Sequence, residues 1–385
     1  MARNTPTIGI DISAALNQRA GIGRFVRNLT SAVVAGSPDI RYVLLHARPD
    51  GDVGDLPNAS NVRTVVAPLR QRLLDIVWHR ARLPVPVDLL TGRLDVFHAP
   101  NFVLPPVRAA RTVLTIHDLA YLLHPECAHP NLRAYLGRAV PYSAKRADYI
   151  VADSENTRSD VISMLGVDPD RIGVVPGGVE PRFAPIADPA ALGRARTAVG
   201  LDDSTPFILF VGTIEPRKNL TALIQAFNNM KARTGLPHRL VLAGRRGWLA
   251  DDIYAAATRS RWSAHITFPS FVADDDLSGL YSAAEIFAYP SLYEGFGLPV
   301  LEAMACGTPV VCSNTSSLPE AAGDAAVLVS PHDVDGLSDA LAALTSDTAL
   351  RARHRGLGLA QAARFTWQSA AEAQIAVYRQ LLAER

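Results

Sequence analysis

Residues 291–311 read SLYEGFGLPVLEAMACGTPVV, and this stretch places two carboxylates, Glu294 and Glu302, eight positions apart in a segment that is otherwise largely apolar or glycine. The β-type run IFAYPS (286–291) leads into it. Pro299 suits the first position of a helix, because its missing N–H costs nothing there. The stretch therefore predicts a strand, a turn that holds Glu294, and a helix with Glu302 in its first turn.

Such a turn can receive a phosphate group. The N–H groups from Gly297 to Val300, with the helix dipole, would point at an anion. Glu302, one turn further on, could accept two hydroxyl hydrogen bonds of the kind that a ribose offers. Taken singly, each acid has a simpler explanation, because Glu302 could complement the helix dipole and Glu294 could be solvated.

Composition predicts a two-domain globular protein. The chain has 385 residues, of which 48% are hydrophobic and 19% charged, and its net charge is +1. That length exceeds one ordinary core. Three cysteines without metal-ligand spacing, Cys127, Cys306 and Cys312, indicate a reducing compartment. Without a run of eighteen apolar residues or a secretory signal, we expect a cytoplasmic protein.

Short β-type runs alternate with helical patterns, which predicts parallel sheets covered by helices. In the first half the runs are 7–12, 41–47, 62–67, 95–100, 112–118 and 149–154. In the second half they are 206–213, 238–244, 265–271, 286–291, 309–313 and 325–330. Segment 171–189, rich in proline and glycine, is expected to connect the halves. Ligands of such sheets bind beyond the carboxyl ends of the strands, and a cleft between two domains is the default site.

The phrase E-G-F-G-L-P-V-L-E strongly resembles the E-x7-E signature of retaining glycosyltransferases of family GT4. Further phrases extend the resemblance over nearly the whole chain: GIGR (21–24), TIHDLAY (115–121), VVPGGVEPRF (174–183), VGTIEPRKNL (211–220), LVLAGRRGW (240–248) and FVADDDLSGLYSAAEIFAYPS (271–291). The resemblance implies an α/β protein of the GT-B fold, with two Rossmann-like domains whose parallel sheets face an interdomain cleft. It implies an acceptor-binding domain, 1–183, a nucleotide-sugar-binding domain, 184–365, and a last helix, 366–385, that crosses back to the first domain.

The resemblance also implies roles for single residues. Glu302 would hold the ribose hydroxyls and Glu294 the hydroxyls of the donor sugar, while Arg217 and Lys218 would neutralise the diphosphate. Pre-placed cations suit a reaction whose leaving group develops negative charge. A solvated basic pair is the alternative for Arg217 and Lys218, although the start of a helix is a poor place for cations.

Further residues are candidates for the donor site. His117, after the run TVLTI, would line the donor-sugar site, unless it is a packed structural histidine. Glycines in the loop GIGR would let backbone N–H groups approach a phosphate or sugar. The nucleotide would also meet the residues Gly21, Gly23, Phe271, Val272, Gly295, Phe296, Gly297 and Leu298.

Other polar residues have structural explanations. Ser154 is expected to cap a helix, Asp118 to cap a helix or support the site, and His98 either to pack or to lie near the acceptor. The cluster Asp274–Asp276 could suggest a metal site, but it precedes a helical pattern and reads as capping acids. With Arg217 and Lys218 available to the diphosphate, no metal cofactor is predicted.

The implied function is transfer of a hexose from a nucleotide sugar to a saccharide or a lipid-linked saccharide, with retention at the anomeric carbon. The short phrases most resemble bacterial mannosyl- and rhamnosyltransferases of surface polysaccharides, so GDP-mannose is the leading donor. UDP- or dTDP-sugars, and a non-catalytic sugar-binding protein, are the alternatives. Segment 69–84 mixes arginines with apolar residues and is compatible with a helix on the inner face of the cytoplasmic membrane. The alternative is that several of these residues pack on the sheet. No nucleic-acid partner is predicted.

Overall fold

The structure is a computed structural model that describes residues 5–18, 21–48, 57–202, 204–270 and 272–384. Its contacts divide the chain into two units. The first unit comprises 1–122, 130–178 and 366–385, and the second comprises 123–129 and 179–365. The unit boundary therefore lies at 178/179, and a short piece between 122 and 130 packs with the second unit.

Both units contain a parallel sheet. The strands of the first sheet are β1 (Thr7–Asp11), β2 (Arg41–His46), β3 (Val62–Val66), β4 (Val96–Ala99), β5 (Arg111–Ile116), β6 (Tyr149–Ala152) and β7 (Ile172–Val174). Those of the second are β8 (Phe207–Val211), β9 (Arg239–Ala243), β10 (Ile266–Thr267), β11 (Ile286–Tyr289), β12 (Val310–Ser313) and β13 (Val327–Val329). The spatial orders are β3-β2-β1-β4-β5-β6-β7 and β10-β9-β8-β11-β12-β13.

Helices connect these strands. Up to the end of the first sheet they are α1 (Ser13–Asn17), α2 (Ile22–Gly36), α3 (Gln71–Leu74), α4 (Asp88–Thr91), α5 (Ala120–Leu123), α6 (Pro130–Arg146) and α7 (Glu155–Leu165). The remaining helices are α8 (Pro189–Ala198), α9 (Leu220–Thr234), α10 (Asp251–Arg259), α11 (Asp274–Ala283), α12 (Leu298–Ala305), α13 (Leu318–Ala322), α14 (Val334–Ser346), α15 (Thr348–Ala362) and α16 (Trp367–Ala383). No described helix is long and apolar enough to cross a membrane.

The last helix belongs to the first unit, which confirms the predicted return of the chain. Thr366 caps α16 by accepting a hydrogen bond from the Ser369 N–H. The helix packs against α2 and buries Ile375 and Tyr378 in the core of the first unit. The Tyr378 hydroxyl lies 2.7 Å from Nδ1 of His98, so a polar contact fixes α16 to strand β4.

Two details of the predicted elements were wrong. Segment 171–189 was expected to be a connector, yet 172–174 pairs with β6 as the edge strand β7. The proline and glycine that follow hid so short a strand. Helix α12 begins at Leu298, one residue earlier than expected, so Glu302 is its fifth residue and lies beyond the first turn.

Strand order marks where ligands are expected. In each sheet the direction of strand addition reverses once, between β1 and β4 in the first sheet and between β8 and β11 in the second. Adjacent loops leave in opposite directions at such a point and open a crevice at the carboxyl ends of the strands. The segments that follow β8 and β11 contain Arg217, Lys218 and Glu294.

Candidate active site

A short 3₁₀ turn holds the two cations at the carboxyl end of β8. The turn spans 216–218, and Asn219 leaves it in the left-handed conformation with φ of 55° before α9 begins. The Asn219 side-chain amide donates to the carbonyls of Pro290 and Pro331 at 3.2 and 2.7 Å. This turn is thereby tied to the end of β11, where Glu294 lies.

Arg217, Lys218 and Glu294 form one ion-pair cluster. Lys218 Nζ lies 2.5 Å from Glu294 Oε1, and Arg217 Nη1 lies 2.9 Å from Glu294 Oε2. Lys218 also donates to the Tyr289 hydroxyl at 3.0 Å, and Arg217 donates to the Tyr293 carbonyl at 2.7 Å. The structure therefore brings together three of the residues predicted for the donor site.

Electrostatics hold Glu294 in its charged form. Burial alone would raise the pKa of Glu294, but the charges of Arg217 and Lys218 outweigh it and lower this pKa to about 2. Burial and the charge of Arg217 lower the pKa of Lys218, against the opposing effect of Glu294. Glu294 is 7% exposed and Lys218 6%. An ammonium group as well desolvated as that of Lys218 interacts strongly with an anion that reaches it.

Glu215 is a member of the cluster that the sequence analysis missed. It is buried, and its Oε1 accepts a hydrogen bond from Arg217 Nη2 at 2.9 Å. Its Oε2 is buried without a hydrogen-bond partner among the described residues. Arg217 is therefore held between two carboxylates, Glu215 and Glu294. The signal was available, because Glu215 lies two residues before Arg217 in the quoted phrase VGTIEPRKNL.

Two serines after β12 shape the loop that carries Glu294. Ser316 Oγ accepts from the Glu294 N–H at 3.0 Å. Ser317 Oγ lies 2.9 Å from both the Glu294 and the Phe296 carbonyls. Sequence reasoning missed both serines, although they follow a strand at its carboxyl end, where hydroxyl groups commonly serve loops.

The start of α12 offers fewer amides than expected. Pro299 has no N–H, and the Val300 N–H donates to the Gly297 carbonyl at 3.0 Å. Within the stretch predicted to bind phosphate, only the amides of Gly297 and Leu298 remain as candidates. Gly297 has φ of 115°, and a Cβ there would lie 2.9 Å from a Leu318 methyl, so glycine is required.

Glu302 lies on the side of α12 that faces α11. Its Oε2 accepts a hydrogen bond from the Tyr281 hydroxyl at 3.1 Å, and the side chain is buried. Glu294 is buried as well, so solvation, the simpler explanation offered for Glu294, does not apply. The contact joins α12 to α11 through the Tyr281 hydroxyl.

Two predicted contact residues use their side chains for packing. Phe296 is buried with Leu301 and Ala321, and its ring meets that of Phe365 at 5.6 Å. Val272 is buried in the core of the second unit. Neither side chain is available to a ligand, so any contact would use backbone groups. Phe271, the neighbouring candidate, lies outside the described residues.

Backbone conformation and close packing explain the glycines of the GIGR loop. Gly21 lies just before α2 with φ of 53°. A Cβ on Gly23 would come within 1.6 Å of the Gln18 carbonyl oxygen, so only glycine lets α2 pass the end of α1. The close backbone approach that was predicted at Gly23 is therefore made by the Gln18 carbonyl group and not by a ligand. Gly295 lies in the loop that Ser316 and Ser317 hold.

His117 follows β5 but is buried in the first unit with both ring nitrogens occupied. Nδ1 lies 2.8 Å from Asp153 Oδ2, and Nε2 lies 3.0 Å from the Pro100 carbonyl. Rings of Phe25 and Phe102 pack edge-on at 5.2 and 5.4 Å. With Asp153 ionised both polar partners are acceptors, and the ring then satisfies them together only as an imidazolium. In this state neither ring nitrogen is available to a sugar.

The His117–Asp153 pair predicts that the stability of the protein depends on pH. Burial opposes the charged ring, but Asp153 and the Pro100 carbonyl outweigh it and raise the pKa of His117; Asp118 acts in the same direction. Because the pKa of His117 is higher in the folded than in the unfolded chain, the pair contributes its full stability below about pH 6.5, the unfolded-state value. This stability is lost as the pH rises through the folded-state pKa. Asp153→Asn is expected to lower the free energy of unfolding by about 3 kcal/mol at pH 6 and by less at pH 9.

Urea unfolding at both pH values measures this effect. The control is Asp170→Asn, since Asp170 is an exposed acid of the same unit. Equal losses at pH 6 and pH 9 would show that His117 is not held as an imidazolium.

The remaining polar candidates are structural. Ser154 Oγ accepts from the Thr157 N–H and caps α7, as predicted, and Asp118 accepts from the Ala120 N–H at the start of α5. His98 is buried between Tyr378 and Thr115, and burial, with the charge of His117, lowers its pKa to about 3.

Asp274–Asp276 lie in the first turn of α11, as the helical pattern predicted, although the capping position itself is Ala273 and no side chain makes a capping hydrogen bond there. Asp274 instead pairs with Arg182 at 3.7 Å. Among the residues that the structure describes, no group of three or more His, Cys, Asp or Glu is arranged to hold a metal ion.

Two parallel sheets, one in each unit and each with a single reversal of strand order, define the GT-B fold. Sucrose-phosphate synthase from Thermosynechococcus elongatus has this fold, with a TM-score of 0.77, 21% identity, and coverage of 99% of this chain and 100% of that one.

Comparison with protein families gives the class of enzyme, a glycosyltransferase. The family "Glycosyltransferase Family 4" matches residues 19–183, and "Glycosyl transferases group 1" matches 194–356. The chain is 34% identical to O-antigen chain mannosyltransferase B of Escherichia coli, over 94% of this chain and 96% of that protein. It is also 34% identical to the serotype-specific mannosyltransferase WbdA of Escherichia coli, over 71% of this chain and 34% of that protein. The chain belongs to glycosyltransferase family GT4.

Proposed function

We propose that the protein transfers mannose from GDP-mannose to a saccharide or lipid-linked saccharide acceptor of a surface polysaccharide, with retention at the anomeric carbon. The observation that carries the donor assignment is the pair of a half-buried Arg217 and a buried Lys218 that faces Glu294 at the ends of β8 and β11. The sugar is assigned from the names of two relatives, both mannosyltransferases.

The charges of the ion-pair cluster indicate which part of the donor each residue binds. Glu215 and Glu294 together balance Arg217 and Lys218 in the free protein. A diphosphate brings two or more negative charges, so it competes with Glu294 for the same cations. We infer that the diphosphate takes Arg217 and Lys218, that Glu294 turns to the hydroxyls of the sugar, and that Glu215 continues to hold Arg217.

The chemistry then depends on positioning and charge. As the bond from the sugar to the diphosphate breaks, the leaving oxygens gain negative charge, which Arg217 and Lys218 stabilise without reorganisation. A front-face route lets a departing phosphate oxygen take the proton of the acceptor hydroxyl. Glu302 is assigned the ribose hydroxyls, since it already accepts from the Tyr281 hydroxyl.

A thermal-shift screen of GDP-mannose, UDP-glucose, dTDP-rhamnose and ADP-glucose tests the donor. A ligand that binds only the folded protein raises the melting temperature, and at a hundred times its Kd it adds about 2.7 kcal/mol. We expect the largest shift from GDP-mannose. A larger shift from a UDP- or dTDP-sugar would reassign the donor, and no shift from any of the four would contradict donor binding.

Metal removal is expected to leave the reaction rate unchanged. Two protein cations already supply the positive charge that a metal ion would otherwise bring to the diphosphate. Initial rates in the presence of EDTA and of added Mg²⁺ or Mn²⁺ measure this. A strict requirement for either metal would show that Arg217 and Lys218 do not suffice.

We further propose that the enzyme acts in the cytoplasm against the inner face of the membrane. Segment 69–84 exposes Leu73, Ile76 and Leu83 beside exposed arginines, although it forms only α3 and a π-helical turn, Asp75–Arg80, rather than one regular helix. Exposed apolar and basic side chains together suit an anionic lipid surface. Equal co-sedimentation with phosphatidylcholine vesicles and with vesicles containing phosphatidylglycerol would contradict this placement.

A further inference from the structure

A pocket of about 720 Å³ lies in the first unit, between the π-helical turn and the first half of α6. Its polar lining residues are His79, Arg80, Arg82, Asn131, Tyr135 and Arg138. No aspartate or glutamate lines it in the part of the chain that the structure describes. Its volume falls within the range of small-molecule sites.

Aromatic rings orient two of the arginines. The Arg80 guanidinium lies over the Tyr135 ring at 5.8 Å, and that of Arg82 lies over the Tyr142 ring at 4.2 Å. A guanidinium held on an aromatic face is pre-oriented for two-point contact with phosphate oxygens. Arg82 also has φ of 52°, an unusual conformation for a residue with a side chain, and such strain is concentrated at binding sites.

The charge of the pocket is positive. Arg80, Arg82 and Arg138 contribute three guanidinium groups. Burial and the charge of Arg146 lower the pKa of His79 to about 4, so its ring is neutral at pH 7. Asp75, the acid on the π-helical turn, accepts a hydrogen bond from Gln71 and does not line the pocket.

The surroundings of the pocket are apolar. Leu83, Leu132 and Tyr142 are among the large exposed hydrophobic residues, and they lie on the same two segments as the arginines. Both segments follow strands at their carboxyl ends, β3 for the π-helical turn and β5 for α6. This is the end of a parallel sheet where ligands bind.

We propose that this pocket binds the phosphate or diphosphate group of the acceptor. Arginine forks match phosphate oxygens in pairs, and three of them converge here without a lining carboxylate. The assignment of that anion to an acceptor rests on the proposed function, whereas the anion site itself does not. Exposed leucines beside the arginines suit an acceptor whose phosphate carries an apolar chain.

Calorimetric titration with sodium pyrophosphate and with farnesyl diphosphate tests the proposal on the full chain. The variants are Arg80→Ala/Arg138→Ala, the control Arg133→Ala, which removes an exposed arginine of α6 outside the pocket, and Lys218→Ala. In the wild type we expect two binding events for pyrophosphate, one in each unit. Lys218→Ala is expected to remove the event in the second unit.

Arg80→Ala/Arg138→Ala, the double variant, is expected to weaken pyrophosphate binding in the first unit about tenfold or more. Arg133→Ala is expected to leave that binding unchanged. Both replaced arginines are exposed, and a thermal melt verifies folding; Arg138→Ala alone serves if the double variant is unstable. Tighter binding of farnesyl diphosphate than of pyrophosphate assigns a lipid-linked phosphate, and equal binding assigns a free one. Unchanged binding of both probes to the folded double variant overturns the proposal, whatever Lys218→Ala shows.

Discussion

Lys218→Ala is expected to lower kcat/KM for mannosyl transfer about a thousandfold. The variant removes one of two desolvated cations that stabilise the leaving diphosphate, and single groups of this kind commonly contribute two to three orders of magnitude. The remaining contact of Glu294 with Arg217 at 2.9 Å prevents a buried carboxylate from being left without a partner. Steady-state kinetics on the folded enzyme measure the loss.

A second buried lysine supplies the matched control. Lys231 is also almost fully buried, and its ammonium group donates to the carbonyls of Leu236 and His238 at the end of α9. Lys231→Ala should cost stability in the same way but leave kcat/KM of the folded enzyme unchanged. If both variants lost activity equally, the loss from Lys218→Ala would reflect folding rather than charge at the diphosphate.

Glu294→Ala is expected to move binding and transfer in opposite directions. Without the carboxylate, Lys218 loses its ion-pair partner and Arg217 keeps only Glu215. GDP then no longer competes with Glu294 and should bind about tenfold tighter, or ~1.4 kcal/mol. Transfer should fall about a thousandfold, because the group assigned to the sugar hydroxyls is gone. Titration calorimetry with GDP and a transfer assay give the two quantities.

The isosteric variant separates charge from shape. Glu294→Gln keeps the size of the side chain and loses its charge, so GDP should again bind tighter than to the wild type. The buried cations destabilise either free variant, and GDP should raise its melting temperature more than that of the wild type. Weaker GDP binding in both variants would contradict the exchange of Glu294 for diphosphate.

The periodic pattern of the sequence predicted most of the fold for a physical reason. Strands buried on both faces of a parallel sheet read as short apolar runs, and all twelve runs named above became strands of one of the two sheets. The edge strand β7 has three residues and a glycine at its centre, so it lacks that signal. Its pairing with β6 comes from tertiary contact rather than from local preference.

The site was predictable where it follows from a motif and unpredictable where it follows from packing. Arg217, Lys218 and Glu294 were named from the sequence because their phrase is specific. Asp153 and Glu215 were missed, since a lone acid after a strand has many explanations. Only the folded chain shows that one faces His117 and the other Arg217. The enclosure of His117 was likewise invisible, because both of its partners are distant in sequence.

A crystal structure of the enzyme with GDP tests the central claim most directly. The account predicts that the diphosphate lies within hydrogen-bond distance of Lys218 Nζ and the Arg217 guanidinium, with both Glu294 contacts to these cations broken and Glu215 still bound to Arg217. A diphosphate bound elsewhere, with Glu294 still paired to Arg217 and Lys218, would contradict it.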